Sequence, residues 1–133
     1  MACAALAVQM LTGCARSTPQ QPVQWDLSPE AQRTYATLLL DQSIRSDDKE
    51  GVLEAVRLLL TQENRPQPFI DAAAWLMLNR ETSEARNLLE QAVKRAPGDL
   101  GLHLLLAETW LEQGDNDQAL KILKDFRKQR PDS

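Results

Sequence analysis

The chain has 133 residues and a formal net charge of −4; 43% of its residues are hydrophobic and 5% are aromatic. This length fits a single domain. The acidic balance argues against a nucleic-acid partner, and the cations of residues 121–130 fit the end of a last helix, where they meet the helix dipole favourably. Leu and Ala dominate the second half, which favours an all-helical protein.

Residues 1–13 are apolar and uncharged. The run is too short to span a bilayer, which takes about 20 residues, and it predicts the apolar part of a signal peptide. A signal peptide normally opens with Lys or Arg, and none precedes Arg16. We therefore expect either a true start upstream or a trimmed segment. The alternative is that residues 1–14 are the hydrophobic start of a helix.

The apolar run ends in Leu11-Thr12-Gly13-Cys14, and a polar, proline-containing stretch follows at once. This tetrapeptide resembles the lipobox of bacterial lipoproteins, in which the Cys thiol takes a diacylglyceryl group and becomes the mature N-terminus. The resemblance implies lipidation of Cys14 and attachment to the cell envelope, facing the periplasm. Ala15, rather than Asp, after the Cys implies the outer membrane under the enterobacterial sorting rule.

Residues 14–27 predict a lipid site followed by a flexible linker, because Pro, Ser, Thr and Gln are frequent after Cys14. Trp25 is unusual in a linker. We interpret it as packing on the first helix as a hydrophobic staple, with a contact to a partner as the alternative. Cys3 is the other cysteine, so the chain offers neither a disulfide framework nor zinc-ligand spacing.

Ser28-Pro29 predicts the start of a helix that continues to about Arg45, because Ser is a good N-cap and Pro suits the first helical position. A turn at residues 46–48 and a second helix over about 49–64 follow. We interpret residues 28–65 as a degenerate helical hairpin that acts as an N-terminal cap. In the frame of the repeats described next, the small positions of this hairpin fall on Gly51, Ala55 and Leu58.

Residues 66–99 and 100–133 read as two copies of one pattern. The period of about 34 residues is typical of helix–turn–helix repeats. The equivalent positions are Ala73 and Ala107, Leu76 and Trp110, Ala85 and Ala119, Leu89 and Leu123, and Pro97 and Pro131. Gly114 suits the left-handed residue that follows a helix. One copy cannot bury its apolar face alone, so the copies must stack.

The pattern resembles the tetratricopeptide repeat. The second copy supplies its motif at Leu106, Ala107, Trp110, Gly114, Ala119, Leu123 and Pro131, with a departure at Phe126. The first copy supplies Ala73, Ala85, Leu89, Ala92 and Pro97, with departures at Ala72, Leu76 and Arg80. The resemblance covers about half of the chain. It implies an all-α fold, a short solenoid of about three stacked antiparallel helix pairs.

In that family the first helix of each pair lines a concave groove. Carried over by position, the groove residues here are Ile70, Ala74, Met77, Leu78, Leu104, Glu108, Leu111 and Glu112. The Lys, Asn and Arg of the family's carboxylate clamp are absent, which disfavours binding of chaperone tails. An apolar floor with an acidic side suits an amphipathic helix or an extended peptide of another protein. The alternative is that some of these side chains pack internally or against the linker.

The sequence offers no catalytic constellation. His103 is the single histidine, so it forms neither a triad nor a metal pair, and we interpret it as a packed or half-exposed helix residue. The glycines are scattered and form no phosphate-binding loop. We expect no enzymatic activity, no metal and no cofactor.

The favoured interpretation is a membrane-anchored adaptor that binds a protein partner. One alternative is a cytoplasmic co-chaperone or regulatory module whose start has been assigned wrongly. Another is a structural homo-oligomer. We expect the last helix to leave Ile122, Leu123 or Phe126 partly uncovered, which would favour self-association or a docked partner.

Overall fold

The computed structural model describes residues 28–130, which form six α-helices and no strand. In chain order they are α1 Pro29–Arg45, α2 Lys49–Gln62, α3 Gln67–Leu78, α4 Thr82–Arg95, α5 Leu100–Glu112 and α6 Asn116–Gln129. The helices form three antiparallel pairs, and α3 packs between α1 and α5. The predicted fold class, an all-α solenoid of stacked helix pairs, is confirmed.

The turn inside each helix pair has the same construction. Its middle residue is Asp47, Arg80 or Gly114, and each has a positive φ, of 56°, 65° and 80° respectively. The next residue donates its N–H to the carbonyl oxygen five residues back, at 2.8, 2.8 and 3.0 Å. Such bonds satisfy carbonyl groups that a helix end leaves unpaired. The degenerate first hairpin is therefore closed in the same way as the two clear repeats.

The buried face of the first hairpin is shifted by one position from the frame that the two later repeats predict. The buried residues of α2 are Val52, Ala55, Val56 and Leu59, and those of α4 are Ala85, Leu88, Leu89 and Ala92. Leu58, which the frame placed at a small position, is half-buried, whereas Leu59 is fully buried. The register shifts by one position because the turn residues Asp47 and Arg80 are one residue closer together in the chain than Arg80 and Gly114 are.

The structure tests two local predictions, the N-cap of α1 and the exposure of apolar residues on α6. The Ser28 hydroxyl accepts from the Ala31 N–H at 3.2 Å, so α1 begins at the predicted cap. Phe126 is buried, not uncovered, and its ring lies 4.5 Å from the His103 ring. Ile122 and Leu123 are half-buried.

Several predictions fall outside the described residues: the signal peptide of residues 1–13, lipidation of Cys14, the linker with Trp25, and Pro131. Among the helices from Pro29 to Gln129, none combines the length and apolar character that crossing a bilayer requires.

Candidate protein-binding cleft

A cleft of about 740 Å³ opens between α1 and α3, the first helices of the first two pairs. Its apolar lining consists of Leu38, Leu40, Ile44, Pro68, Ala74, Trp75 and Leu78. Its polar lining consists of Thr37, Asp41, Arg65, Gln67 and Asp71. Stacked helix pairs form extended concave surfaces that solenoids use for binding. The cleft between two neighbouring pairs is therefore a candidate binding surface.

Two leucines at the edges of the cleft are unusually accessible. Leu38 of α1 is 63% exposed and Leu78 of α3 is 83% exposed. Fully burying a leucine side chain is worth about 1.5–3 kcal/mol. The half-buried Ile44 and Trp75 line the same cleft. A partner that covers this apolar surface therefore gains a substantial hydrophobic contribution.

The rim of the cleft is acidic. Asp41 pairs with Arg45 at 2.9 Å, but both side chains are largely exposed, so the pair is weak. Asp71 accepts a hydrogen bond from the Gln67 amide at 2.8 Å and has an exposed carboxylate. These two carboxylates, of which Asp41 is partly offset by Arg45, give the apolar cleft a preference for basic residues on whatever binds it.

The cation at the cleft, Arg65, is neutralised by its own neighbour. Its guanidinium donates to the Glu63 carboxylate at 2.8 and 3.1 Å, and its backbone N–H donates to the same group at 2.8 Å. These bonds from Arg65 lower the pKa of Glu63 to about 2. Glu63 therefore stays ionised at neutral pH, and Arg65 contributes little net charge to the rim.

The α2–α3 connection that carries Arg65 is also tied to α4. The Arg95 guanidinium donates to the Glu63 carbonyl oxygen and to the Asn64 side-chain oxygen, both at 3.3 Å. The entrance to α3 is thereby held by α4, the other helix of its own pair. This link fixes one wall of the cleft relative to the core.

The structure distributes the groove residues of α3 over three environments. Ala74 and Leu78 line the cleft. Met77 is half-buried and packs against the core. Ile70 lies against α5, because a Cβ built on Gly101 would be 3.2 Å from Ile70 Cδ1.

The groove residues of α5 do not line this cleft. Leu104 borders a separate pocket against α6. Glu108 and Leu111 are exposed, and Glu112 accepts from the Thr82 hydroxyl at 2.7 Å. The eight groove residues therefore do not form one continuous surface around this cleft.

Sequence reasoning missed the contribution of α1 to the cleft. Leu38, Asp41 and Ile44 all line it. Their spacing places them on one face of a helix, since every third residue of a helix is a neighbour. The first hairpin has a weak repeat signal, which favours a cap. The inner face of α1 is therefore not among the predicted groove residues. In the register set by the first two turns, Leu38 and Asp41 are equivalent to Asp71 and Ala74, and this equivalence was the signal that could have found them.

Comparison with known proteins supports an interaction module. A family model described as Tetratricopeptide repeat matches residues 76–133, a little under half of the chain. The match runs from the end of α3 through α6, and such repeats generally mediate protein–protein interactions. The match points to an interaction scaffold instead of an enzyme. No curated protein and no solved structure matches the chain.

Within residues 28–130, no group of three or more His, Cys, Asp or Glu side chains is placed to hold a metal ion.

Proposed function

We propose that this protein is a non-enzymatic adaptor, anchored in a bacterial envelope through a lipid on Cys14, that binds an amphipathic segment of another envelope protein. The cleft between α1 and α3 carries the binding part of the proposal, because it joins exposed leucines to an acidic rim. The Leu11–Cys14 tetrapeptide supports the anchor. The proposed location is the outer membrane, facing the periplasm.

The chemistry of the cleft supports one kind of occupant. An apolar stripe of large side chains on a helix, at i, i+3/i+4 and i+7, fits a groove floored by aliphatic and aromatic groups. Asp41 and Asp71 then favour Lys or Arg beside that stripe. We therefore propose a basic amphipathic helix as the binding partner's contact segment.

The binding part is tested with two fluorescent helical peptides that share one leucine pattern. One carries Lys beside the stripe and the other carries Glu. The full chain is titrated in a non-ionic detergent, and fluorescence anisotropy is measured. We expect the Lys peptide to bind about tenfold more tightly. Lys attracts the exposed carboxylates of Asp41 and Asp71, whereas Glu in its place would be repelled by both. Equal affinity for the two peptides would overturn the proposed acidic cleft.

A matched pair of variants locates the binding surface. Leu38→Gln changes the cleft, and Leu120→Gln changes a leucine of comparable exposure, 51%, on α6. We expect Leu38→Gln to weaken the Lys peptide about tenfold, because it removes the transfer free energy of one leucine. Leu120→Gln should leave the affinity unchanged. A loss of the same size in both variants would show that the cleft is not the binding site.

The anchor is tested separately from binding. Cells expressing the chain are labelled with an alkyne-bearing fatty acid and fractionated. We expect label on the wild-type chain in the membrane fraction, and loss of both label and membrane association in Cys14→Ala. A wild-type chain that is unlabelled and soluble would replace the anchored adaptor with the cytoplasmic alternative.

A further inference from the structure

Arg65 lies at the boundary between the cleft and a second pocket, and a buried carboxylate holds it there. The second pocket has a volume of about 370 Å³ and shares Thr37, Leu38 and Arg65 with the cleft. The Arg65 side chain is 71% exposed, whereas the Glu63 side chain that pairs with it is 2% exposed. An accessible guanidinium is thus attached to a group that is fixed in the core.

This attachment uses one edge of the Arg65 guanidinium. Its Nε and Nη2 atoms donate to the two carboxylate oxygens of Glu63, at 3.1 and 2.8 Å. Within residues 28–130, the Nη1 atom has no hydrogen-bond partner. Because a guanidinium is planar and rigid, the edge formed by Nη1 and Nη2 still presents N–H groups in a fixed direction. Arg65 is therefore a preorganised hydrogen-bond donor at the cleft.

The chemistry of this donor favours a neutral acceptor. Glu63 stays ionised and compensates the charge of Arg65, so the pair attracts an anion only weakly. The last carbonyl groups of a helix have no hydrogen-bond partner within that helix, and an Arg side chain can satisfy them. A helix bound in the cleft would supply such acceptors at its C-terminus.

Arg65 also lies at the end of the cleft where α1 and α3 begin. It comes just before α3, and the pocket that it shares with the cleft contains Glu30 and Arg33 from the start of α1. Ile44 and Leu78 line the cleft near the ends of the same two helices, and Leu78 is about 16 Å from the start of α3. The dipoles of α1 and α3 are positive at the Arg65 end, which favours the C-terminus of a bound helix over its N-terminus.

We propose that the helix bound in the cleft runs antiparallel to α1 and α3, and that Arg65 caps its C-terminus. This inference rests on the proposed function, since it takes the occupant to be a helix. Asp41 and Asp71 then select the charge of the partner segment, whereas Arg65 sets its direction. A helix bound in the reverse direction would place its own N–H groups against those of Arg65.

Crosslinking of the wild-type chain tests the direction. Two versions of the Lys peptide, both with an acetylated N-terminus and an amidated C-terminus, carry a photoreactive phenylalanine derivative at one end or at the other. Each is bound to the full chain in a non-ionic detergent and irradiated, and the crosslinks are mapped by mass spectrometry. We expect the C-terminal probe to react with residues 30–38 and 65–67, and the N-terminal probe with residues 44–45 and 78–79. Exchanged patterns, or the same pattern from both probes, would overturn the proposal.

A pair of variants separates the hydrogen bond of Arg65 from its charge. If charge alone mattered, removing a cation would strengthen the binding of a basic peptide. Arg65→Gln should instead weaken the amidated Lys peptide about fivefold, because the donor to its terminal carbonyl groups is lost. Arg33→Gln removes an exposed cation from the neighbouring pocket and should not weaken binding. Unchanged or tighter binding to a folded Arg65→Gln chain would count against the cap, and circular dichroism checks the folding of both variants.

Failure of the orientation is distinguishable from failure of binding. A Lys peptide that binds with the reverse crosslinking pattern overturns the orientation alone and leaves the adaptor proposal in place. A Lys peptide that gives no change in anisotropy overturns the proposed function, and this inference with it. The crosslinking needs only the wild-type chain, so it remains decisive if Arg65→Gln does not fold.

Discussion

The Glu63 carboxylate is buried at the end of α2 and accepts N–H bonds from Asn64 and Arg65. Its pKa is about 2 in the folded chain, below the ordinary 4.5, chiefly because of the Arg65 guanidinium. A carboxyl group with a lowered folded pKa stabilises the fold above its unfolded pKa, and this stabilisation is lost as the pH falls through the folded value. The contribution of Glu63 is therefore full at neutral pH and is lost between pH 4.5 and about 2.

We predict that Glu63→Gln lowers the free energy of unfolding at pH 7 by about 1–2 kcal/mol, because a charge-assisted contact is lost. The deficit should shrink as the pH approaches 2. Urea unfolding at pH 7 and pH 3 measures both effects. Glu50→Gln, at an exposed position on α2, is the control and should change little. A Glu63→Gln deficit that is the same at both pH values would contradict the assigned role.

Arg86 joins α4 to α5 through three kinds of contact. Its guanidinium donates to the Thr109 carbonyl at 2.7 Å and to the Gln113 side chain at 2.8 Å, and lies 3.7 Å from the centre of the Trp110 ring. The planar guanidinium can do all of this at once, whereas a lysine ammonium cannot.

We therefore predict that Arg86→Lys lowers the free energy of unfolding by about 1–2 kcal/mol although the charge is kept. Arg57→Lys, at an exposed position on α2, should have no measurable effect. Urea unfolding of the two variants gives the comparison. Equal stability would mean that the charge of Arg86 matters and its shape does not.

At the scale of the helices, Gly51 sets how closely α1 and α2 can approach. A Cβ at this position would lie 2.1 Å from Ser43 Oγ and 2.9 Å from Ser43 Cβ, so the helices must separate to accept it. Gly98 has a similarly close contact, at 2.2 Å, but with the guanidinium end of Arg130. That flexible side chain can move away without shifting a helix.

Gly51→Ala should therefore destabilise the chain by about 1–3 kcal/mol through overpacking, despite the higher helix propensity of alanine. Gly98→Ala should cost much less. Thermal unfolding followed by circular dichroism separates the two. If Gly51→Ala were as stable as the wild type, α1 and α2 would have to be less tightly packed than described.

The same two helices show how far the sequence could predict the fold. The cap at Ser28 and the end of α1 near Arg45 follow from local chemistry, which the nearby residues determine on their own. The burial register of α2 does not. It depends on which side of the helix meets α1 and α4, and a slip of one position moved it from Leu58 to Leu59. The repeat frame, taken from the two later copies, could not detect that slip.

The candidate site shows a similar limit. The family resemblance placed the groove on the first helices of repeats, and Ala74 and Leu78 do line the cleft. The cleft is completed by α1, whose hairpin had too weak a repeat signal to be included. The packing of Trp110 against Arg86 was also missed, because a cation–aromatic contact between two different helices leaves no pattern in the sequence.

At the scale of the whole molecule, the three helix pairs separate two surfaces of different character. The cleft on α1 and α3 is apolar with carboxylates at its rim, while the pocket between α5 and α6 is lined by leucines, Phe126 and the cations Arg127 and Arg130. The proposed partner would use the first surface, and its binding there would leave the second accessible.

The most direct test of the adaptor proposal is photo-crosslinking in living cells from a single photoreactive residue at Leu78, the most exposed of the large hydrophobic residues described. The same residue is placed at Gln118, exposed on α6, as the control. We predict one discrete crosslinked species from position 78 in the membrane fraction. This species should disappear when Leu38→Gln is added, and it should not form from position 118. The same products from both positions, or a species that persists with Leu38→Gln, would contradict the cleft as the partner-binding site.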